Sequence, residues 1–204
     1  MSRTGRRPPE GRTAWRKAAL VALPAVAAVA AMSVGMAEGV LASSFAVSGK
    51  AFQVSSGRLS SKGLASFVDV DRSAGGDQHP GALLAIGDAR LSDLCQAARV
   101  ETPVGTVVFK LKAGGRAGEI AVRNLVLHSQ DLSGDAEFGD VEIGRDASTL
   151  DRVPGVRGEP GRFGLQAGDV TVTGVRSHAW SATGGDFHLK GLTLDVSLNG
   201  RACF

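Results

Sequence analysis

The sequence predicts an all-β fold: a single Gly-rich antiparallel domain, built as a β-sandwich or a β-solenoid-like stack, that follows an N-terminal hydrophobic helix. Three observations predict it. Apolar and polar residues alternate in many short segments, 28 of the 204 residues are glycine, and no stretch after residue 40 has the apolar spacing of a long helix. An interior glycine costs a helix about 0.5–1 kcal/mol relative to alanine, so this composition favours strands and turns.

An N-terminal targeting segment occupies residues 1–37. A basic region ending in Trp15-Arg16-Lys17 precedes residues 18–37, a run of 20 residues without a charge. A helix of that length spans about 30 Å, the thickness of the hydrocarbon core of a bilayer, and basic flanks stay on the cytoplasmic side. The sequence therefore predicts a cytoplasmic basic n-region followed by a signal peptide or transmembrane anchor, with residues 18–37 contacting the membrane.

Two fates of this segment stay open. Gly35 and Ala37 are small residues at the −3 and −1 positions of a possible signal-peptidase site, and cleavage there releases the body. The apolar run is also long enough to remain as an anchor. In either case residues 38–204 form an extracytoplasmic β domain, so the predicted localisation is extracytoplasmic, membrane-anchored or secreted.

The charge of the body argues against a nucleic-acid partner. The whole chain has a net charge of +3, but six of its basic residues lie in the leader. Residues 38–204 contain 17 basic and 19 acidic residues, a net charge of −2. Because nucleic-acid binding depends on basic side chains that neutralise phosphates, we expect no such partner.

Alternating apolar residues bounded by Gly, Ser or Asp predict strands in the body. The clearest segments are residues 45–47, 52–54, 106–111 and 193–196. Two stretches rich in Gly and Pro predict surface loops, residues 73–81 and the longer 146–164.

A four-residue pattern recurs along the body: an apolar residue, any residue, then Asp, Asn or Gly, then a second apolar residue. Because Asp, Asn and Gly tolerate positive φ, each copy predicts a bulge or tight corner that re-aims the inward face of a strand. The spacing of the copies is close to one or two units of 16 or 17 residues, which indicates an internal repeat and fits either architecture. The copies are residues 91–94, 122–125, 138–141, 172–175 and 189–192, with a weaker one at 62–64.

Cys95 and Cys203 are the two cysteines of the chain. An even number of cysteines in an exported chain favours a disulfide, and two free thiols are the alternative. A bond between them closes a loop of about 110 residues and contributes roughly 4 kcal/mol in the loop-entropy account.

The body contains no motif that predicts catalysis, a cofactor or a metal. No serine lies in the Gly-x-Ser-x-Gly pattern of an α/β-hydrolase nucleophile. The four histidines, His79, His128, His178 and His188, lack the spacing of paired metal ligands. Trp180, the body's one tryptophan, is expected to pack in the core. We therefore predict no catalytic, cofactor-binding or metal-binding residues and no enzymatic activity.

Six segments, residues 37–49, 94–96, 113–115, 161–167, 179–183 and the terminal Cys203-Phe204, occur in the same order in a known family. In these segments the chain resembles the DUF6230 family of actinobacterial exported proteins. The resemblance implies an actinomycete envelope protein in which both cysteines belong to the family pattern, and it implies no established activity. Some members carry the label cholesterol esterase, which the absence of a nucleophile motif does not support.

Three functions follow from these features. The first is a non-enzymatic exported or membrane-anchored envelope protein that acts as a binding or scaffolding module, with a membrane protein as partner. The alternative is a lipid-binding or lipid-carrier β domain, which requires an apolar cavity of several hundred Å³ instead of a solid core. The third is an esterase, which requires a cleft with a Ser or Asp within hydrogen-bond reach of His128, His178 or His188.

Overall fold

The computed structural model describes residues 49–204, and these residues form an antiparallel all-β domain, as predicted. Ten strands and two short 3₁₀ turns, Gly115–Ala117 and Ala147–Thr149, make up its regular structure. The strands are β1 (Phe52–Arg72), β2 (Gln78–Ser92), β3 (Leu94–Thr102), β4 (Gly105–Ala113), β5 (Ile120–Arg123), β6 (Leu125–Gly139), β7 (Glu142–Asp146), β8 (Phe163–Thr183), β9 (Asp186–His188) and β10 (Thr193–Leu198).

The strands belong to one sheet that closes on itself. Its order is β10-β4-β3-β1-β8-β6-β2-β5-β9, with β7 beside β8 and an additional pairing of β1 with β2. Because β2 also pairs with β6 and β6 pairs with β8, the four longest strands form a closed ring, β1-β2-β6-β8. This single closed antiparallel sheet replaces the two predicted alternatives, since a sandwich has two separate sheets and a solenoid has stacked coils.

The corner residues of the recurring pattern all have positive φ, which confirms the predicted corners. Their φ angles lie between 51° and 82°, in the left-handed region. A residue in that conformation bends a strand and disrupts its alternation, so the long strands wrap around the interior. The residues are Gly63, Asp93, Asn124, Asp140, Gly174 and Gly191.

Each corner changes which side chains face the interior. Along β1 the inward positions advance by two residues within a straight segment. They advance by three at a positive-φ corner, as at Gly63, and also at a glycine that lies opposite a corner of a neighbouring strand, as at Gly57. The β8 strand and the continuous β2–β3 segment do the same. These side chains lie in the main core cluster, line its cavity or are otherwise buried. They are residues 54, 56, 59, 61, 64 and 66 of β1, residues 84, 86, 89, 91, 94 and 96 of β2–β3, and residues 165, 167, 170, 172, 175 and 177 of β8.

Gly87 illustrates why the corners need glycine on the neighbouring strand. It lies opposite Gly63, between the paired positions Lys62↔Asp88 and Leu64↔Ile86. A Cβ atom on Gly87 would lie 2.4 Å from the carbonyl oxygen of Lys62, closer than any side chain tolerates. At the corner of β1 the Lys62 carbonyl oxygen therefore occupies the position that a side chain at residue 87 would need, so only glycine fits there.

The predicted surface loop at residues 146–164 covers a second, smaller core. Ala147, Leu150 and Val153 are buried in it against Phe67 and two alanines of β1 and β2. The loop is therefore packed as well as irregular. The shorter predicted loop at residues 73–81 is reduced to a turn, because β1 extends to Arg72 and β2 begins at Gln78.

Gln166 of β8 fixes the 146–164 loop to the sheet. Its side chain is fully buried, and its Oε1 accepts hydrogen bonds from the backbone N–H groups of Asp151 (2.9 Å) and Arg152 (3.3 Å). Its Nε2 donates to carboxylates of Glu142 (3.1 Å) and Asp151 (3.0 Å). Hydrogen bonding to Arg145 lowers the pKa of Glu142, and hydrogen bonding to Gln166 lowers the pKa of Asp151. Gln166 thus uses both its acceptor and its donor capacity to hold the loop.

Cys95 and Cys203 form the predicted disulfide, which joins β3 to the C-terminal residues across a sequence separation of 108. The last two backbone N–H groups, of Cys203 and Phe204, also donate to the side-chain oxygen of Gln53 in β1. Within residues 49–204 no helix is long and apolar enough to span a membrane. The predicted leader at residues 1–37 and the predicted strand at 45–47 lie outside the described residues.

Candidate functional site

An apolar cavity of about 350 Å³ lies inside the closed sheet. Inward side chains of all four ring strands line it, among them Leu59, Leu84, Leu127 and Val172. Five polar side chains also reach the lining: Ser56, Ser66, Gln96, Ser133 and Ser177. Among the described residues that line the cavity, none carries a charge.

The cavity opens beside the outer half of β6. Leu132 and Phe138 of β6 and Phe187 of β9 line it, yet they are 46%, 41% and 44% exposed. Within the described part of the chain, residues 131–139 pair with β8 along one edge only, whereas the first half of β6 also pairs with β2. The sheet is therefore incomplete at this point, and an apolar rim faces solvent.

A second apolar surface, the wing face, lies on one side of β3, β4 and β10. Directly paired residues of an antiparallel sheet share a face, so the register places its members together. Val196 is 66% exposed, Leu194 58%, and Leu198 and Val100 55% each. Gln96 also lies on this side, next to Leu111. The wing face consists of Ala98, Val100, Val107, Phe109, Leu111, Leu194, Val196 and Leu198.

His128 lies close to a carboxylate but does not face a nucleophile. It is 2% exposed, and its Nδ1 lies 2.8 Å from Oδ2 of Asp71, although the two groups are not aligned for a hydrogen bond. Its Nε2 is 3.3 Å from the backbone oxygen of Asp69. Ser181 Oγ donates to the same Asp71 carboxylate at 3.2 Å. An aspartate of the kind that the esterase alternative requires therefore lies beside His128, but the serine hydroxyl donates to this aspartate and not to the histidine. The Ser-His-Asp order of a serine hydrolase is not formed by these three side chains.

His178 forms a second pair with Asp131, at 2.8 Å between Nδ1 and Oδ2. Partial burial raises the pKa of Asp131, but the backbone and side-chain hydrogen bonds from His178 outweigh it and leave that pKa below its ordinary value. The His178 ring also contacts the edge of Phe204. In residues 49–204 neither His128 nor His178 receives a hydrogen bond from a serine hydroxyl.

His79 stacks on Trp180 with 3.9 Å between ring centroids. Trp180 is half-buried on the outer side of β8 and lies outside the hydrophobic clusters, so the expectation of a core tryptophan is wrong. His188 is exposed at the end of β9. Among the described residues no three His, Cys, Asp or Glu side chains are grouped in a way that could hold a metal ion.

A family model matches residues 48–204, over three quarters of the chain, and its description is a family of unknown function, DUF6230. The chain belongs to the DUF6230 family. No curated protein and no solved structure matches it. The family description carries no activity over to this DUF6230 protein.

The sequence predicted none of the cavity residues as a site. Its candidates, the histidines and Trp180, lie outside the cavity lining. The signal that was present is the recurring pattern itself, because both apolar members of a copy such as Leu91-Ser92-Asp93-Leu94 face the cavity. The cavity could not be inferred because its volume depends on which distant strands pair.

Proposed function

We propose that the domain is a binding module that holds an apolar ligand, such as the acyl chain of a lipid, without catalysing a reaction. The observation that carries the proposal is the cavity of about 350 Å³ with an apolar lining and an exposed apolar rim. Small-molecule sites usually measure about 300–1,000 Å³ and are mostly apolar, with a few polar groups.

Displacement of water from the cavity supports binding of an apolar ligand. Because the mouth is open, water can reach the apolar lining when no ligand is bound. A chain that fills the cavity removes this apolar surface, together with its own, from water, which is favourable by about 25 cal/mol per Å². A charged ligand gains no such free energy there.

Native mass spectrometry tests the proposal. The full-length protein is purified under non-reducing conditions from the cells that produce it naturally. We expect an added mass that organic extraction removes and that an apolar compound restores. A protein that carries no added mass and takes up no apolar compound after extraction contradicts the proposal.

A matched pair of variants locates the site. Ala136 lines the cavity on β6 near the rim, whereas Ala121 is exposed on β5 and does not line it. Ala136→Trp should reduce binding at least tenfold because the indole occupies the mouth, and Ala121→Trp should bind like the natural protein. Equal binding by both variants places the ligand elsewhere.

The wing face favours a second candidate function, in which the protein is a scaffold that binds another protein. A contiguous exposed apolar surface of this kind marks interaction sites in soluble domains. A photo-crosslinking side chain at Val196 should give one discrete adduct in cells, and the same group at Asp195, on the opposite side of β10, should not. Adducts from neither position, or equally from both, contradict the scaffold.

A further inference from the structure

The uncharged lining of the cavity restricts the chemistry of its ligand. Transfer of an ionised carboxylate or ammonium out of water without a partner costs several kcal/mol or more. Because no charged side chain among the described residues lines the cavity, it offers such an ion no partner. The part of the ligand inside the cavity is therefore uncharged.

Three of the five polar lining groups already use their hydroxyl protons. Ser56 Oγ donates to the backbone oxygen of Ser92 at 2.5 Å, and Ser177 Oγ donates to that of Asp131 at 2.8 Å. Ser133 Oγ makes a long hydrogen bond of 3.4 Å to a backbone oxygen. These three serines are fixed by the protein itself.

Gln96 is different because its carboxamide makes no hydrogen bond within the described part of the chain, and it lines the cavity. The amide offers two donors and an acceptor oxygen. Its paired neighbours are apolar, Val54 on β1 and Leu111 on β4. A ligand that fills the cavity displaces water from this amide, which costs binding unless the ligand replaces the lost hydrogen bonds. Ser66, also unpaired, has one hydroxyl to offer.

We infer that the ligand is a neutral lipid, an apolar chain that bears one uncharged hydrogen-bonding group such as a hydroxyl or an ester carbonyl, and that Gln96 binds this group. The inference rests on the proposed function, since it specifies the ligand of the same cavity. Gln96 then determines specificity: it selects a neutral polar lipid over a hydrocarbon, and the absence of a cation selects it over a fatty-acid anion.

A dye-displacement assay tests this inference. The delipidated full-length protein is loaded with Nile red, and decane, 1-decanol and ionised decanoate are compared at pH 8 for the concentration at which each displaces the dye. We expect 1-decanol to displace the dye at concentrations at least tenfold lower than decanoate. Gln96→Leu should weaken 1-decanol about two- to tenfold, the value of one hydrogen bond, and leave decane unchanged. Gln130→Leu is the matched control, because Gln130 is exposed and does not line the cavity.

The outcomes separate this inference from the proposed function. Failure of all three compounds to displace the dye contradicts the proposed function itself. Displacement by all three with equal potency, or an unchanged affinity of Gln96→Leu for 1-decanol, overturns the neutral-lipid inference and leaves the cavity as a general apolar site. Tighter binding of decanoate than of 1-decanol overturns it as well. An unfolding curve for Gln96→Leu establishes that the variant is folded.

Discussion

Gly87→Ala tests the account of the corners most directly. The added Cβ atom would lie 2.4 Å from the carbonyl oxygen of Lys62, whereas close carbon–oxygen contacts are about 3.3 Å. Strands β1 and β2 must therefore separate by roughly 0.9 Å at this point, enough to lengthen a normal hydrogen bond beyond its useful range. The loss of one or two hydrogen bonds together with the overpacking gives an expected destabilisation of about 2–4 kcal/mol.

Equilibrium urea unfolding of the full-length protein under non-reducing conditions, followed by circular dichroism, measures this effect. Thermal unfolding followed by the same signal gives a second measure. For a domain of this size each kcal/mol of lost stability lowers the melting temperature by about 2–4 °C, so Gly87→Ala should melt roughly 4–16 °C lower than the natural protein. Gly75→Ala is the matched control, because the nearest atom to its added Cβ is 3.7 Å away. That variant should match the natural protein or be slightly more stable. A Gly87→Ala protein within about 0.5 kcal/mol of the natural one refutes the reasoning.

Three further predictions concern the loop network, the disulfide and pH. Gln166→Leu should lose about 1–3 kcal/mol in urea unfolding because the backbone N–H groups of Asp151 and Arg152 lose the acceptor that the buried Gln166 side chain provides, whereas the exposed Gln130→Leu should lose less than about 0.5 kcal/mol. Replacing Cys95 and Cys203 together by alanine should cost about 2–5 kcal/mol, and an unchanged midpoint without reductant would argue against the crosslink. Hydrogen bonds from a neighbouring serine and a glycine N–H lower the pKa of Asp146, so its stabilisation is present above the unfolded value of 3.8 and is lost as pH falls through the folded pKa. The stability difference between the natural protein and Asp146→Ala should therefore be constant near neutral pH and shrink below pH 3.8; a difference that persists in acid contradicts this.

The local chemistry of the corners could be predicted from the sequence, because it depends on residue type. Asp, Asn and Gly were identified from their tolerance of positive φ, and Asp93, Asn124 and Asp140 all have a φ of 51°. The disulfide could be predicted for a similar reason, since two cysteines allow one pairing. These features need no knowledge of which strands are neighbours.

The long strands and the cavity could not be predicted, because each depends on the three-residue step at a corner. The step breaks the period-two pattern by which a strand is identified, so none of the clearest predicted strand segments lies in β8, although β8 is 21 residues long. The volume of the cavity also depends on pairings such as Phe52↔Ala179, which no local pattern specifies. Trp180 was assigned to the core from its size, but the corner at Gly174 shifts the inward positions of β8 so that Trp180 faces outward.

The ring of strands can close only late in the synthesis of the chain, because β8 completes it. Strand β1 is the first of the described strands to be synthesised, and β2 follows it after a short turn, so one side of β1 can pair early. The other side of β1 pairs with β8, and the ion pair between Lys62 and Asp169 joins residues that are 107 positions apart in the sequence. Pairings this distant in sequence form slowly, and an unpaired strand edge is prone to aggregate. Until β8 has been made, the free side of β1 is therefore an unpaired edge through which the nascent domain can aggregate.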